Sequence, residues 1–169
     1  MAESNSSVLS INANFTWHSN PGSSATVSDH PHWSRDTARA MSQENVEILR
    51  KLQNDWNRGE RDLAGAYHPD VEFLPRRAAT EGGYYGLSGI EAFIADTSEV
   101  FDKYEMNFEF TDLGERVLAF GAIHVRAKGS GVETDIQTGG LFEFRDGRIV
   151  RWEDFGSKSK ALEAAGLSV

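Results

Sequence analysis

The stretch VLAFGAIHVRAKGSGVETDIQTGGLFEFRDGRIVRWEDF, Val117 to Phe155, holds three β-rich runs and turns twice. VLAFGAIHVRAK and VETDIQTGGLFEF are long β-rich runs separated by the turn residues GSG. RDGR carries the Asp-Gly pair of a two-residue hairpin, and IVRWEDF is the strand that leaves it. Just upstream, MNFEF alternates through Met106, Phe108 and Phe110, and LGER turns the chain into Val117. Four strands joined by short turns make an antiparallel meander. Gly139-Gly140, inside a long strand, reads as a bulge or bend.

Toward the N-terminus the period becomes helical. Val46, Leu49, Leu52 and Trp56 recur on one helix face, with Ser42 as the expected N-cap and Gly59 as the stop. Asp62 is placed to cap a short helix, LAGAY, which His68-Pro69 ends before the short strand VEFLP. TEGGYYGL reads as a loop. Ser88-x-x-Glu91 reads as a capping box opening a helix whose apolar face holds Ile90, Phe93, Ile94, Val100, Phe101 and Tyr104. Ser157 is a cap for a last short helix, KSKALEAAG. Helices that precede a curved meander can cover one of its faces, which gives an α+β layer fold with a hollow between the layers.

Residues 1–40 read as a separate segment, either a disordered tail or an upstream extension with Met41 as the natural start; the folded domain is expected over 41–169. The first forty residues are rich in Ser, Asn, Thr and Ala, with apolar residues that follow no period. Trp17, His18, His30, His32 and Trp33 cluster there, but HPH is a weak ligand pair with no carboxylate cluster beside it, so no metal is expected. The chain has no cysteine, which removes disulfides and thiolate chemistry and fits a cytoplasmic protein. A net charge of −9 without a basic stripe argues against a nucleic-acid surface, and no apolar run is long enough to span a membrane. No phosphate loop, dinucleotide fingerprint, H-E-x-x-H or G-x-S-x-G elbow occurs, so no cofactor is expected.

Strand parity sorts the chemistry-bearing residues. Phe142 and Phe144 on one strand and Val150, Trp152 and Asp154 on the next are expected to face the hollow. A carboxylate among apolar walls is desolvated, and its raised pKa suits general acid–base work; the competing reading is a solvated strand-end Asp. His124 shares its face with Arg126 and Lys128, which points it toward solvent or a second subunit, although Leu118 and Phe120 make that face apolar at one end. Trp56, Tyr67, Phe73, Tyr84, Tyr85, Phe93, Phe142, Phe144 and Trp152 are the candidate ligand-binding aromatics. Tyr84 and Tyr85, placed on a loop, would be lids. Arg76-Arg77 is either an anion-holding pair at the rim or a solvated loop pair.

WNRGERD, HPDVEF, GIEAF and FRDGRIVRW together resemble the SnoaL-like branch of the nuclear-transport-factor-2-like superfamily, over about residues 41–166. The resemblance implies a cone-shaped α+β half-barrel that pairs as a homodimer through the outer face of its sheet. It implies little about chemistry, because the superfamily holds polyketide cyclases, ketosteroid isomerases, epoxide hydrolases, dehydratases and non-catalytic members. SnoaL-like cyclases carry an acid–base Asp after a Trp on the last strand, and a His on a middle strand; by likeness these are Asp154 and His124. The isomerase pattern fails, with Leu74 where the base would stand, Leu52 for the Tyr and Gly140 for the Asp. Two functions stay open: a cofactor-free acid–base enzyme acting on a small hydrophobic, carbonyl-bearing molecule, and a non-catalytic ligand-binding or dimerisation module.

Overall fold

A computed structural model describes residues 35–167, with side chains from Ala40 onward. The histidines and tryptophans of the first 33 residues lie outside that range. The element order is α1 (Arg35–Asn57), α2 (Leu63–Ala66), β1 (Tyr67–Leu74), α3 (Ala78–Glu81), β2 (Tyr84–Tyr85), α4 (Gly86–Val100), β3 (Phe101–Asp112), β4 (Arg116–Ala127), β5 (Glu133–Arg145), β6 (Arg148–Phe155) and α5 (Lys158–Ala164).

The six strands form one curved, open sheet in the order β2-β1-β6-β5-β4-β3. The expected meander β3 to β6 is antiparallel throughout. β1 then joins β6 in parallel, so the sheet is mixed. The register of that pair slips between Tyr67 and Glu72, where Pro69 has no N–H to give to a ladder.

One core fills the concave side. Val46 and Leu49 of α1 and Ile90 of α4 pack on Tyr67, Val71, Phe73, Val117, Ala119, Phe142 and Ile149 of the sheet. A second, smaller core lies on the other face. There Ala161 and Ala165 at the C-terminal helix pack on Leu118 and Leu141, with Phe155 and Leu162 around them. This explains why β4 is apolar on both faces at one end: odd residues meet the main core, and even ones lie under α5. Phe120, at the margin, has Lys158 Nζ 5.9 Å from its ring centroid.

Several local expectations shift. Asp62 and Ser157 cap α2 and α5 by accepting from Gly65 N–H and Lys160 N–H. Ser42 is no cap, because α1 begins upstream at Arg35; Ser42 is buried within the helix and donates to Asp112 Oδ2 at 2.7 Å. Ser88 likewise falls inside α4, which starts at Gly86 after Tyr85. Phe101 and Tyr104 belong to β3 and not to the preceding helix, so the change of period comes five residues earlier than MNFEF suggests.

Gly139-Gly140 is not a bulge: β5 keeps its register with β4 and β6 through both residues. The glycines are close-approach points. A Cβ on Gly140 would come within 2.8 Å of Trp152 Nε1, and one on Gly139 within 2.8 Å of Phe120 Cδ2 on the opposite face. The register shift of this sheet region lies instead between Glu143 and Phe144. There Phe144 pairs with Ile149, which puts Ile149 rather than Val150 fully into the core. Gly121 is a further close-approach point, where a Cβ would run into the Asn107 carbonyl oxygen and approach Phe108 Cα at 2.9 Å.

β3 is an edge strand, and α1 closes part of its edge. Asn57 donates through Nδ2 to the Met106 carbonyl and accepts from Met106 N–H, both at 2.8 Å; Gln53 Oε1 accepts from Phe108 N–H at 2.8 Å. These two amide side chains act as a neighbouring strand would.

Candidate functional site

The concave face holds a cavity of about 110 Å³. Its walls are Phe73 from β1, Pro75 just past it, Phe93 from α4, and Tyr104, Met106 and Phe108 from β3. Ala119, Ile123, Gly140, Phe142 and Trp152 come from the middle of the sheet, with Thr138 and Asp154 as its polar end. The aromatic stack is ordered. Trp152 lies flat on Phe73 with centroids 3.8 Å apart and on Phe142 at 5.5 Å, and Phe93 meets it edge-on at 5.8 Å. Gly140 gives the indole the room to lie this way.

Asp154 points inward, with its side chain 20% exposed. Thr138, two residues before Gly140 on the same face of β5, donates its hydroxyl to Asp154 Oδ1. Arg76, just past β1, brings Nε to 3.8 Å from Oδ2. The arginine can lie there because residue 156 is glycine; a Cβ would stand 3.2 Å from Arg76 Cδ. Burial pushes the Asp154 pKa up, while the Thr138 hydrogen bond, the Arg76 charge and the Phe155 backbone hold it back.

Tyr104 is the second polar group of the cavity. Its hydroxyl has no hydrogen-bond partner among the described residues, and its ring is held by Trp56 at 5.7 Å and Phe101 at 6.4 Å. Burial, and then the Asp154 charge, push its pKa up, so it stays a protonated donor at any ordinary pH. Tyr104 and Thr138 were missed in the sequence. The signal existed: extending the period-two run of Met106 and Phe108 two residues upstream reaches Tyr104, and the parity of Gly140 and Phe142 reaches Thr138.

Of the expected aromatic set, Phe73, Phe93, Phe142 and Trp152 line this cavity. Tyr67 is wholly buried beneath it, and Phe144 packs on the same core. Tyr84 and Tyr85 are not lids, because they form strand β2, hydrogen-bonded to β1. Tyr84 stacks on the far side of Phe73 at 5.7 Å and donates its hydroxyl to Asp96 at 2.8 Å, while Tyr85 is 59% exposed. Trp56 instead lines a separate hollow of about 150 Å³ between α1 and α2, away from Asp154.

His124 lies on the convex face, so it does not meet Asp154. Its Nδ1 is 2.8 Å from Asp135 Oδ1 and its Nε2 3.2 Å from Glu133 Oε2. The Asp135 hydrogen bond is the largest of the influences that raise its pKa. Arg77 pairs with Glu81 at the surface, and Arg151 pairs with Glu72 and Glu153. No cluster of three or more metal-ligating side chains occurs among the described residues, and none of their helices is long and apolar enough to cross a membrane.

A curved open sheet wrapped on helices, its concave face hollowed and closed by aromatic rings, defines the α+β cone class. The model of the SnoaL-like domain matches residues 49–152, more than half of the sequence, and the chain belongs to that family. Among solved structures it resembles TerC, co-crystallised with polyporic acid, at 25% identity and TM-score 0.60 over 73% of this chain and 98% of that one. An NTF2-like protein of unknown function from Burkholderia pseudomallei K96243 matches at 24% identity and TM-score 0.58, over 71% of this chain and 95% of that one. A protein provisionally described as a SnoaL-like polyketide cyclase, from Jannaschia sp. CCS1, matches at 20% identity and TM-score 0.59 over 73% and 91%. No curated protein matches the chain.

Proposed function

We propose that this protein is a cofactor-free acid–base enzyme acting on a small, hydrophobic, carbonyl-bearing molecule, with Asp154 as the proton-transferring group. The observation that carries the reading is the inward, desolvated Asp154 at the polar end of an aromatic cavity. Made more basic by burial but still restrained by Arg76, its carboxylate takes a proton from the carbon next to a carbonyl. The C–H electron pair becomes the new C=C bond, and the carbonyl π pair moves onto oxygen as an enolate. Tyr104 O–H is the available donor to that oxygen. Return of the proton from Asp154 to another carbon gives isomerisation; attack of the enolate carbon on a second carbonyl of the same molecule forms the ring C–C bond, moves that carbonyl's π pair onto its oxygen, and the resulting alkoxide takes the proton back from Asp154. His124 takes no part, being on the other face. The relative crystallised with polyporic acid supports a small-molecule ligand for this cavity.

A second reading, a non-catalytic binding module, draws on the same geometry, since Asp154 already has partners in Thr138 and Arg76. In either case the working unit is proposed to be a cytoplasmic homodimer joined through the outer face of the sheet around His124.

Exchange of the methyl protons of acetophenone in D2O, followed by NMR, tests the enzyme reading without knowledge of the natural substrate. The wild type accelerates exchange, and Asp154→Asn slows it by about 10²–10⁴-fold, the usual worth of a positioned base. Exchange equal in the two proteins removes Asp154 from catalysis and leaves the binding reading.

A further inference from the structure

The 110 Å³ cavity is small beside the roughly 300–1,000 Å³ of ordinary ligand pockets. A second hollow of about 150 Å³ lies between α1 and α2, walled by Ile48, Leu52, Leu63 and Ala66 and edged by the mixed charges of Lys51, Asp55, Glu60, Arg61 and Asp62. Trp56 stands between the two. It lines the hollow, and its ring packs on Phe93 at 6.5 Å and Tyr104 at 5.7 Å, both of which wall the inner cavity. On its other side the Arg61 guanidinium lies 4.0 Å from the ring centroid.

Trp56 is badly provided for where it stands. It is only 4% exposed, yet its Nε1–H is buried without a hydrogen-bond partner among the described residues. An orphaned buried donor carries a desolvation cost that an alternative position would relieve. Among the described residues, Trp56 Nε1 is a fully buried side-chain polar atom without a hydrogen-bond partner, and it sits on a side chain that stands between two hollows.

We propose that the two hollows are chambers of a single binding site partitioned by Trp56, and that the substrate is a two-ring carbonyl compound that displaces the indole and spans both. This rests on the reading of the inner cavity as the substrate site. The ketone end lies by Asp154 and Tyr104, the second ring enters the α1–α2 chamber, and any polar substituent on that ring meets the mixed-charge edge of Lys51, Asp55, Glu60, Arg61 and Asp62.

The test compares 2-acetylnaphthalene with acetophenone, binding measured by titration to the wild type, Trp56→Phe and Trp56→Ala. Urea unfolding of each variant confirms that it is folded. Removing the partition is expected to tighten 2-acetylnaphthalene by about tenfold, because the ligand no longer has to displace the indole, and to change acetophenone by less than about threefold. Trp56→Phe, which keeps an aromatic wall, falls between. In the wild type, 2-acetylnaphthalene shifts the Trp56 indole N–H resonance, assigned by its absence from the Trp56→Phe spectrum, and acetophenone leaves it in place. Equal responses of the two ketones to Trp56→Ala, or binding of the larger ketone with the indole resonance unmoved, overturns the proposal. Should Trp56→Ala leave too little folded protein to titrate, the wild-type resonance decides alone. Deuterium exchange is scored separately: discrimination by ring number without any exchange would retain the two chambers and reject the acid–base reading.

Discussion

Adjacent glycines in β5 provide a sharp test of how the site is packed. Alanine at Gly140 would put its Cβ 2.8 Å from Trp152 Nε1, 3.1 Å from Trp152 Cδ1 and 3.0 Å from Phe142 Cε2. Comfortable contacts need roughly 3.5–4.0 Å, so these rings must retreat by about 0.5–1 Å. Trp152 cannot retreat without disturbing Phe73, stacked on it at 3.8 Å, and Phe93, which abuts it edge-on. Overpacking of this kind costs about 1–3 kcal/mol. Replacing a strand glycine returns roughly 0.5–1 kcal/mol of chain entropy. The net loss is about 1–2 kcal/mol, which at a urea slope near 2 kcal/mol/M lowers the midpoint by roughly 0.5–1 M. Alanine at Gly139 meets Phe120 Cδ2 at the same 2.8 Å and the Ala119 carbonyl oxygen at 3.1 Å, but Phe120 is half-buried on the convex face and can swing outward, and the carbonyl need give only about 0.3 Å. That substitution should change stability by less than about 1 kcal/mol. Urea unfolding followed by tryptophan fluorescence measures both, and near-UV circular dichroism of Gly140→Ala reports the displaced indole. A Gly139→Ala variant as unstable as Gly140→Ala, or a Gly140→Ala variant matching wild type, would show that the stack is not packed as described.

Three further outcomes follow from the site and the sheet edge. Arg76→Gln removes a charge that holds the Asp154 pKa down, so the acid limb of the exchange-rate profile moves to higher pH; an unmoved or acid-shifted limb would count against Arg76 as its counter-charge. The folded pKa of Asp154 lies above its ordinary 3.8, so the protonated carboxyl favours the fold below 3.8 and that contribution is lost as pH rises through the folded value. Asp154→Asn should therefore gain stability relative to wild type at neutral pH, and this pH-dependent gain should vanish in acid, as urea midpoints across pH would show. Asn57→Ala strips two hydrogen bonds from the free edge of β3 and should cost about 1–2 kcal/mol, with faster hydrogen exchange at the Met106 amide; unchanged exchange there would remove α1 as the edge's cover.

Much of this molecule is written locally. The Asp-Gly of RDGR produces Asp146 and Gly147 at φ 52° and 67°, as a two-residue hairpin demands, and Asp62 and Ser157 cap the helices they precede. Turn chemistry, caps and period depend on residues a few positions apart, so one strand of text suffices to read them. The meander, the helical face of Val46, Leu49 and Trp56, and the inward parity of Trp152 and Asp154 come from that level. The family resemblance added the cone and the attention to Asp154.

Tertiary structure decided what depends on neighbours far along the chain. Ser42 and Ser88 have the chemistry of caps, but helices that start earlier leave them inside. Ile149 takes the core position of Val150 because a register slip against Phe144 flips the alternation, and a slip is invisible in either strand alone. The Gly139-Gly140 pair looks like a hinge until Phe120 and Trp152 are seen pressing on it from opposite faces. Asp154 acquired its partners Thr138 and Arg76 from β5 and from beyond β1, and Trp56 its place between two hollows, only when the sheet closed over the helices. Sequence sets the alternation within an unbroken strand; folding sets where that alternation slips and which side chains meet, because distance through space is not encoded in distance along the chain.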